Sequence, residues 1–387
     1  MRRDCMKRVA IVGIGQAGFS PTTPGVSFRE LVFEAAVKAY RDAGVEPKDI
    51  GGFVTAAEDF WEGYSICDEY CNDQLGAVLK SVQTVPGDFL HALATGFMMI
   101  RAGLFDLVAI ESHSKLSNVK TPDDVKSFAL DPVYLRPLGQ TVHIIDGLEM
   151  TRYLHASGAT REQCAKVVVE SRAAALDNPL ASYGAKLEIE DVLGADPVSW
   201  PVGRLDLAGH ADGCVVAVLA SEETVPQLAG QPIWIDGLAW CSDSPNLDSR
   251  QMEESAATRL AAEKAYRMAN IGSPLDDIDI FEICDDVSFK ALQHMEALKL
   301  CAPGSAGHLF ESGEYGPRGG VLINPSGGAL GVGHLIETSG GHKTLEIVNQ
   351  LRGVAGRHQA EDAECGLVQI WRGAPTTSCA VMILRNN

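Results

Sequence analysis

Apolar and polar positions along the chain alternate between short strand-like runs and longer stretches with helical spacing. In the segment SVQTVPGDFLHALATGFMMIRAG, a strand-like run at residues 82–85 ends at Pro86-Gly87, and an apolar-faced helix follows with Asp88 at its expected N-cap. At such a helix N-terminus, backbone N–H groups and the helix dipole stabilise negative charge. Residues 86–89 contain no Cys, Ser or Thr. The pattern therefore predicts a turn that is built to hold a nucleophile but lacks one.

The same pattern of elements occurs twice along the chain. Residues 35–43 and 261–269 are identical at seven of nine positions, and each helix runs through a Pro-containing turn into an apolar strand. Strand-like runs precede both helices, and turn, helix and strand units follow both, so that Pro86-Gly87-Asp88 corresponds to residues 324–328. We interpret this as an internal duplication. Two α/β halves that face each other would place their equivalent turns in one central cleft.

The repeat also predicts the domain organisation. Residues 1–114 form the first part of the N-terminal half, and residues 201–228 return to it with an apolar strand. Residues 115–200 are rich in helical patterns and have no counterpart in the second half, which indicates an inserted lid or binding subdomain. Residues 229–387 form the C-terminal half. Within the insertion, a helix is expected to begin after the N-cap Thr160 and to stop before Pro179.

A glycine motif near the N-terminus resembles a dinucleotide-binding fingerprint. Gly13, Gly15 and Gly18 match the spacing Gly-x-Gly-x-x-Gly after a strand, but Pro21 and Pro24 prevent a helix from opening there. We expect that these glycines instead let a buried strand pass close to neighbouring backbone.

Composition narrows the function classes. The 387 residues carry a formal net charge of −19, which disfavours nucleic acid as a partner and means that an anionic ligand needs local positive charge or a basic partner chain. No apolar run is long enough to span a membrane and no secretory leader is evident, so a cytoplasmic protein is expected. The ten cysteines form no CxxC pair, and Cys67 and Cys71, four residues apart, give only two ligands; we expect no metal site.

Two long motifs in the second half resemble the thiolase superfamily. They are FEICDDVSFKALQHMEALKLCAPGSAGHLFESG and INPSGGALGVGHLIETSG. The resemblance covers nearly the whole chain and is strongest to lipid-transfer-protein thiolases and archaeal acetoacetyl-CoA thiolases. It implies an α/β thiolase fold with a duplicated five-layer αβαβα architecture and a tight dimer. It also implies a coenzyme A thioester as substrate, no permanently bound cofactor, and the making or breaking of a carbon–carbon bond.

The chain differs from that family at the positions of the family's catalytic residues. The nucleophilic Cys position falls in residues 85–88, which hold none. His334 is kept although Leu335 replaces a proline, residues 284–287 read Cys-Asp-Asp-Val, and Gln369 stands where a His or Cys is expected. The resemblance suggests these candidate catalytic residues: His334, Asp285, Cys284, Asp88 and Gln369. It suggests these candidates for binding the thioester: Asn324, Ser326, Gly327 and Gly328.

Several of these residues have alternative interpretations. One of Asp285 and Asp286 could be a solvated carboxylate while the other is the N-cap of the helix SFKALQHMEAL. Alternatively, one of the two is a general base in the cleft. Asp88 is either a helix cap or a catalytic group. Cys284 is a displaced nucleophile or a small filler, and its acidic neighbours should raise its pKa. Tyr315 is the tyrosine nearest in sequence to these loops.

Two classes of function remain open. In the first, the protein acts on CoA thioesters without the usual cysteine, as in retro-aldol cleavage, with His334 in an oxyanion hole and an Asp or Tyr as base. In the second, it is a silent thiolase-fold subunit that pairs with an active paralogue. A third possibility is that a cysteine from another loop or chain enters the site. In each case a homodimer or heterodimer is expected, and a small zinc-ribbon and OB-fold protein is a possible partner.

Overall fold

A mixed β-sheet of eleven strands runs through the described part of the molecule. The computed structural model describes residues 7–58, 70–139, 141–373 and 377–387. The strands of the sheet are β1 (Val9–Ser20), β2 (Gly52–Ala56), β3 (Ser81–Val85), β4 (Leu107–Ser114), β7 (Asp212–Ser221), β8 (Ile233–Ser242), β9 (Ile280–Glu282), β10 (Tyr315–Gly316), β11 (Val321–Ile323), β12 (Cys365–Trp371) and β13 (Ser378–Arg385). A separate two-stranded sheet consists of β5 (Pro197–Ser199) and β6 (Val202–Gly203).

The order of the strands repeats about the centre of the sheet. The order is β10-β11-β9-β12-β13-β8-β1-β7-β4-β2-β3. Reading outward from the centre, β1-β7-β4-β2-β3 of the first half matches β8-β13-β12-β9-β11 of the second. In both halves the outer pairs are parallel and the inner pairs antiparallel. The halves meet where β1 pairs with β8, at Ala10 opposite Trp234 and Ile11 opposite Ile233. The strand order thus carries the duplication seen in the sequence.

The helices complete five layers. They are α1 (Phe28–Ala43), α2 (Asn72–Leu75), α3 (Phe89–Arg101), α4 (Pro122–Ser127), α5 (His143–Ser157), α6 (Arg161–Ala174), α7 (Ile189–Leu193), α8 (Ala256–Ala269), α9 (Pro274–Asp277), α10 (Ser288–Ala297), α11 (Ala306–Glu311), α12 (Gly328–Val332) and α13 (Ser339–Leu351). Helix α1 packs on β1 and β7, and α8 packs on β8 and β13. Helices α3 and α13 contact each other and strands of both halves, so they form the central layer. The expected αβαβα architecture is confirmed.

The central layer is held by apolar side chains of both halves. Phe89, Leu93 and Ile100 of α3 are fully buried together with Ile347 and Val348 of α13. Burying each such side chain contributes roughly 1.5–3 kcal/mol. The start of each central helix is therefore fixed rigidly, which matters because both helix starts border the cavity described below.

The glycine motif of β1 serves packing. A Cβ on Gly13 would lie 2.3 Å from the carbonyl oxygen of Ala39, and one on Gly15 would lie 2.3 Å from that of Ala35. Strand β1 continues unbroken to Ser20 and no helix opens at the motif. The prediction that these glycines allow a close backbone approach is confirmed.

Helices α4 to α7 lie within residues 115–200, the segment expected to be an insertion. As expected, Thr160 caps α6: its hydroxyl accepts a hydrogen bond from the backbone N–H of Gln163. Helix α6 packs against α12 and α10 of the second half, so the insertion covers one side of the C-terminal motifs. Within the described residues, no helix has both the length and the apolar character needed to cross a membrane.

Candidate active site

A cavity of about 350 Å³ lies where the two halves and the insertion meet. Gly87 and Asp88 reach it from the start of α3, and Ser339 reaches it from the start of α13. Roughly half of the described side chains on its wall are acidic, basic or histidine. Ligand pockets are usually lined mainly by apolar groups. The wall is therefore suited to polar chemistry.

Asp88 occupies the turn that lacks a nucleophile. It is 3% exposed, and its two carboxylate oxygens accept hydrogen bonds from Leu90 N at 2.9 Å and from Gly340 N at 2.8 Å. It therefore caps α3, as the sequence suggested, and also binds the first turn of α13. Burial raises the pKa of Asp88 to about 7, against the opposing effect of the two backbone hydrogen bonds.

Asp285 and Asp286 have different surroundings although they are adjacent. Asp285 is fully buried and accepts hydrogen bonds from the N–H groups of Ala329 and Leu330, at 2.7 Å and 3.3 Å, so it caps α12. Asp286 lies on the cavity wall. The expectation that one of them caps the helix SFKALQHMEAL is wrong, because the N-cap of that helix, α10, is Val287 and has no side-chain cap.

His334 and Asp286 form a close pair on the wall. His334 Nδ1 lies 3.3 Å from Asp286 Oδ1, with side-chain exposures of 21% and 14%. Burial opposes ionisation of Asp286, but His334, Lys343 and the Cys284 thiol outweigh it and lower the pKa of Asp286 to about 2. Asp286 is thus a carboxylate at neutral pH. The expectation that His334 faces the cleft is confirmed.

A second histidine, His210, stands beside His334. The backbone N–H of His334 donates to Gly209 O at 2.7 Å, and the N–H of Ala211 donates to His334 O at 3.1 Å. This pairing brings the two imidazole rings to 6.0 Å between centroids. Burial, followed by the positive charges nearby, lowers the pKa of His210 to about 3, so it is neutral at pH 7.

Cys284 and Gln369 lie behind the wall rather than on it. The thiol of Cys284 is 2% exposed and donates to Asp286 Oδ2 at 3.2 Å, and burial followed by the charge of Asp286 raises its pKa well above the usual range. Gln369 is fully buried, and its Oε1 accepts a hydrogen bond from the backbone N–H of Cys284 at 2.8 Å. Both residues therefore support the Cys-Asp-Asp loop, and Trp371 and Arg372 reach the cavity instead.

The Asn-Pro-Ser-Gly-Gly turn is also a buried support. Asn324 Oδ1 accepts a hydrogen bond from Ile283 N at 2.7 Å, and Ser326 Oγ accepts one from Gly328 N at 3.1 Å. A Cβ on Gly327 would lie 2.7 Å from Ala175 Cβ, and one on Gly328 would lie 2.1 Å from Asp285 Oδ2. None of the four candidates for thioester binding is among the described residues of the cavity wall. Asn324 and Gly328 lie against the loop that carries Asp285 and Asp286.

A buried cation lies beneath this loop. Lys343 is 1% exposed, and its Nζ lies 3.5 Å from Asp285 Oδ1 and 4.0 Å from Glu282 Oε2. Both carboxylates are fully buried, and burial raises the pKa of each. Lys343 compensates part of their charge and, more weakly, that of Asp286.

Some wall residues were missed by sequence reasoning. His210 lies just before strand β7, and Lys126 lies in α4, where burial lowers its pKa. No local motif marks either residue. Tyr315, considered from its position in sequence, is 5% exposed and donates its hydroxyl to Leu300 O, so it cannot reach the cavity. Cys67 lies outside the described residues.

Comparisons with known proteins agree with this architecture. Residues 241–386 match the thiolase C-terminal domain-like family. The acetyl-CoA acetyltransferase of Methanothermobacter thermautotrophicus is 29% identical over 98% of this chain and 100% of its own. Sterol carrier protein 2 of Gallus gallus is 27% identical over 93% of this chain and 69% of its own. The solved structure of the Ltp2-ChsH2(DUF35) aldolase superposes with a TM-score of 0.83 and 25% identity, covering 98% of this chain and 97% of that one.

The fold and the site together define a thiolase-like protein, and the chain is similar over nearly its whole length to members of the thiolase superfamily. Within that superfamily it resembles the branch of archaeal acetyl-CoA acetyltransferases and sterol carrier protein 2.

Proposed function

We propose that the protein cleaves a carbon–carbon bond of a β-hydroxyacyl-CoA by retro-aldol chemistry, without an acyl-enzyme. The observation that carries the proposal is the Asp286–His334 pair on the wall of a cavity whose nucleophile position is taken by Asp88. The described wall residues include no cysteine, and the hydroxyl of Ser339 has no hydrogen-bonded base among the described residues. An acyl-enzyme needs an activated nucleophile, whereas a retro-aldol step needs only a base and donors for the enolate.

In this proposal His334 moves the proton. Its Nδ1 faces Asp286, which leaves Nε2 to accept the proton of the β-hydroxyl group. The electrons of the O–H bond form the carbonyl of the first product, the carbon–carbon bond breaks, and the acyl-CoA leaves as an enolate. The enolate carbon then takes up the proton held by His334, which gives the second product and restores the neutral imidazole. Asp286, with a pKa near 2, is too weak a base at neutral pH and serves better by stabilising the imidazolium.

His210 is the proposed donor to the enolate oxygen. A neutral imidazole can offer one N–H without itself losing a proton at neutral pH. The nearby His334 lies at a ring distance of 6.0 Å, which leaves room for a thioester oxygen between base and donor. Lys126, Arg204 and Arg372 line the cavity together with six Asp and Glu residues. On a chain of net charge −19, the phosphates of a CoA ligand would therefore need further positive charge from a partner chain.

A silent subunit is the second candidate. The position of Asp88 favours it: the side chain is locked by two backbone amides, so this turn serves structure. The partner would then be an active paralogue. A small zinc-ribbon and OB-fold protein is a further proposed partner for either function, supported by a structural relative that is itself described as a two-component aldolase. Gel filtration of the chain co-expressed with such a protein tests the association, and separate elution would count against it.

Two measurements separate these functions. Intact mass after incubation with acetyl-CoA and with longer acyl-CoAs should show no adduct. A panel of β-hydroxyacyl-CoAs should then be cleaved to an acyl-CoA and a carbonyl compound. His334→Gln should slow turnover about 100-fold or more, as expected for loss of a general base. His308→Gln, at a side chain 76% exposed on α11, is the matched control and should not change the rate.

Each alternative has its own result. An acyl adduct on Cys67 or Cys284 would replace the proposal with thiolase-type acyl transfer. Unmodified protein that cleaves no member of the panel, alone or with its partners, would favour the silent subunit. Equal turnover of His334→Gln and wild type would leave the reaction class standing but remove His334 from it.

A further inference from the structure

A second cluster of reactive side chains lies away from the cavity. Cys71 at the start of α2 and Glu111 and His113 on β4 are all buried, with exposures of 0%, 0% and 2%. One ligand atom of each, a sulfur, a carboxylate oxygen and a ring nitrogen, lies within 4.8 Å of the other two. None of the three is among the described residues that line the cavity.

We propose that Cys71, Glu111 and His113 bind a divalent transition-metal ion, with Zn²⁺ as the best match. Sulfur, imidazole and carboxylate are the donors that zinc takes, and Mg²⁺ and Ca²⁺ prefer oxygen donors alone. A thiolate and a carboxylate carry two negative charges, which a divalent ion neutralises in a buried site. Three protein ligands leave one coordination position that water can fill.

An incompletely satisfied carboxylate supports this assignment. Glu111 Oε1 lies 2.8 Å from His113 Nδ1, but Glu111 Oε2 is buried and has no hydrogen-bond partner among the described residues. A buried polar atom without a partner is unfavourable by about 1–3 kcal/mol, and a metal–oxygen bond would remove that penalty. Two ligands of a tetrahedral zinc lie roughly 3.3 Å apart, so Oε1 and Nδ1 would separate by a few tenths of an ångström if both bound the ion.

Surrounding groups would hold the ligands in place. Phe28 stacks on the His113 ring with centroids 5.2 Å apart, and the hydroxyl of Tyr40 donates to Leu75 O of α2 at 2.8 Å. A bound ion would join α2 to β4. On binding, the Cys71 thiol gives its proton to solvent and its sulfur forms the metal bond, so no oxidant or reductant is needed.

The test is metal content and spectroscopy of the intact chain. Protein purified without added metal should contain about one zinc per chain by elemental mass spectrometry. After removal of that zinc with a chelator, Co²⁺ should give a thiolate-to-metal charge-transfer band. Cys71→Ser should abolish the band, and Glu111→Gln, which keeps the size of the side chain, should weaken Zn²⁺ binding about tenfold or more. Cys301→Ser, at a half-buried thiol in another core cluster, is the matched control and should keep both properties.

The proposed metal site can be tested even if Cys71→Ser fails to fold. Wild-type protein that contains no stoichiometric metal and gives no charge-transfer band with excess Co²⁺ would overturn the proposal. An unchanged Zn²⁺ affinity in folded Glu111→Gln, confirmed by circular dichroism, would remove Glu111 and with it the site as defined. One zinc per chain in wild type, with a Zn²⁺ affinity that falls about tenfold or more in Glu111→Gln and is unchanged in Cys301→Ser, would establish it.

Discussion

Asp88 should hold a proton in the folded protein over much of the acidic range. Two effects compete at this carboxyl group: its burial favours the neutral form, and hydrogen bonds from Leu90 N and Gly340 N favour the anion. Burial is the larger effect and raises the pKa from 3.8 to about 7. We therefore expect Asp88 to be neutral near pH 5 and to ionise near neutral pH.

The raised pKa makes folding stability depend on pH with a definite sign. Between the two pKa values the folded state binds more protons than the unfolded state, so the contribution of Asp88 is fully present below about pH 4 and is lost as the pH rises through about 7. A shift of about three units corresponds to at most ~4 kcal/mol. Asp88→Asn removes this pH dependence. The amide oxygen of the variant can still accept a hydrogen bond from Leu90 N, but its NH₂ group faces the N–H of Gly340, and neither can accept. The variant should therefore lose about 1–3 kcal/mol of folding free energy at every pH.

Wild type should consequently be the more stable protein near pH 5, and Asp88→Asn should equal or exceed it near pH 8. Urea unfolding of both proteins across this range measures the difference, and subtracting the variant cancels every other titrating group. The infrared band of protonated carboxyl, as wild type minus variant, reports the ionisation directly. A midpoint at or below pH 4, with a stability difference that does not change with pH, would refute the reasoning and show that the two helix termini outweigh burial.

Three further predictions concern the loop that carries Asp285 and Asp286 and the residues beside it. Gly328→Ala should destabilise the protein by about 1–3 kcal/mol more than Gly353→Ala in urea unfolding, because both glycines have positive φ but only a Cβ at 328 would contact Asp285, at 2.1 Å, while 353 has open space. Lys343→Met should lower the free energy of unfolding by about 3–5 kcal/mol, since it leaves buried carboxylates without their cation. Asp286→Asn should lower kcat for the proposed cleavage by up to ~60-fold with KM little changed. This factor corresponds to the lowering of the Asp286 pKa from 3.8 to about 2, which His334 contributes to. A free energy of unfolding or a kcat equal to that of wild type would contradict the role assigned to the residue that was changed.

The fold could be predicted from the sequence because the local helix and strand patterns and the internal repeat indicated the same architecture. The seven shared residues of 35–43 and 261–269 lie on equivalent helices, α1 and α8, and each presents alanines to its sheet. The helix start at Asp88 followed from N-cap chemistry, and the exposure of His334 to the cavity from its glycine-rich motif. These features depend on neighbours close in the chain or on a long, specific motif.

Other parts of the site depend on contacts that no local pattern records. Asp285 and Asp286 are consecutive, and in extended backbone consecutive side chains point to opposite sides. Which of them reaches the cavity is decided by the position of α12, some forty residues further along, whose N–H groups take Asp285. His210 reaches His334 only because residues 209–211 run beside it. The sequence suggests the residue types, and the tertiary contacts select among them.

The absence of a nucleophile at the first turn has a structural counterpart. With one oxygen on Leu90 N and the other on Gly340 N, Asp88 ties together the starts of α3 and α13, the two helices of the central layer. A cysteine there could not accept both hydrogen bonds at comparable strength, because it has one weak acceptor atom in place of two oxygens. The carboxylate of Asp88 therefore fixes the position of α13, which begins five residues after His334. Asp88 and His334, the proposed proton carrier, are in this way joined through one short stretch of backbone.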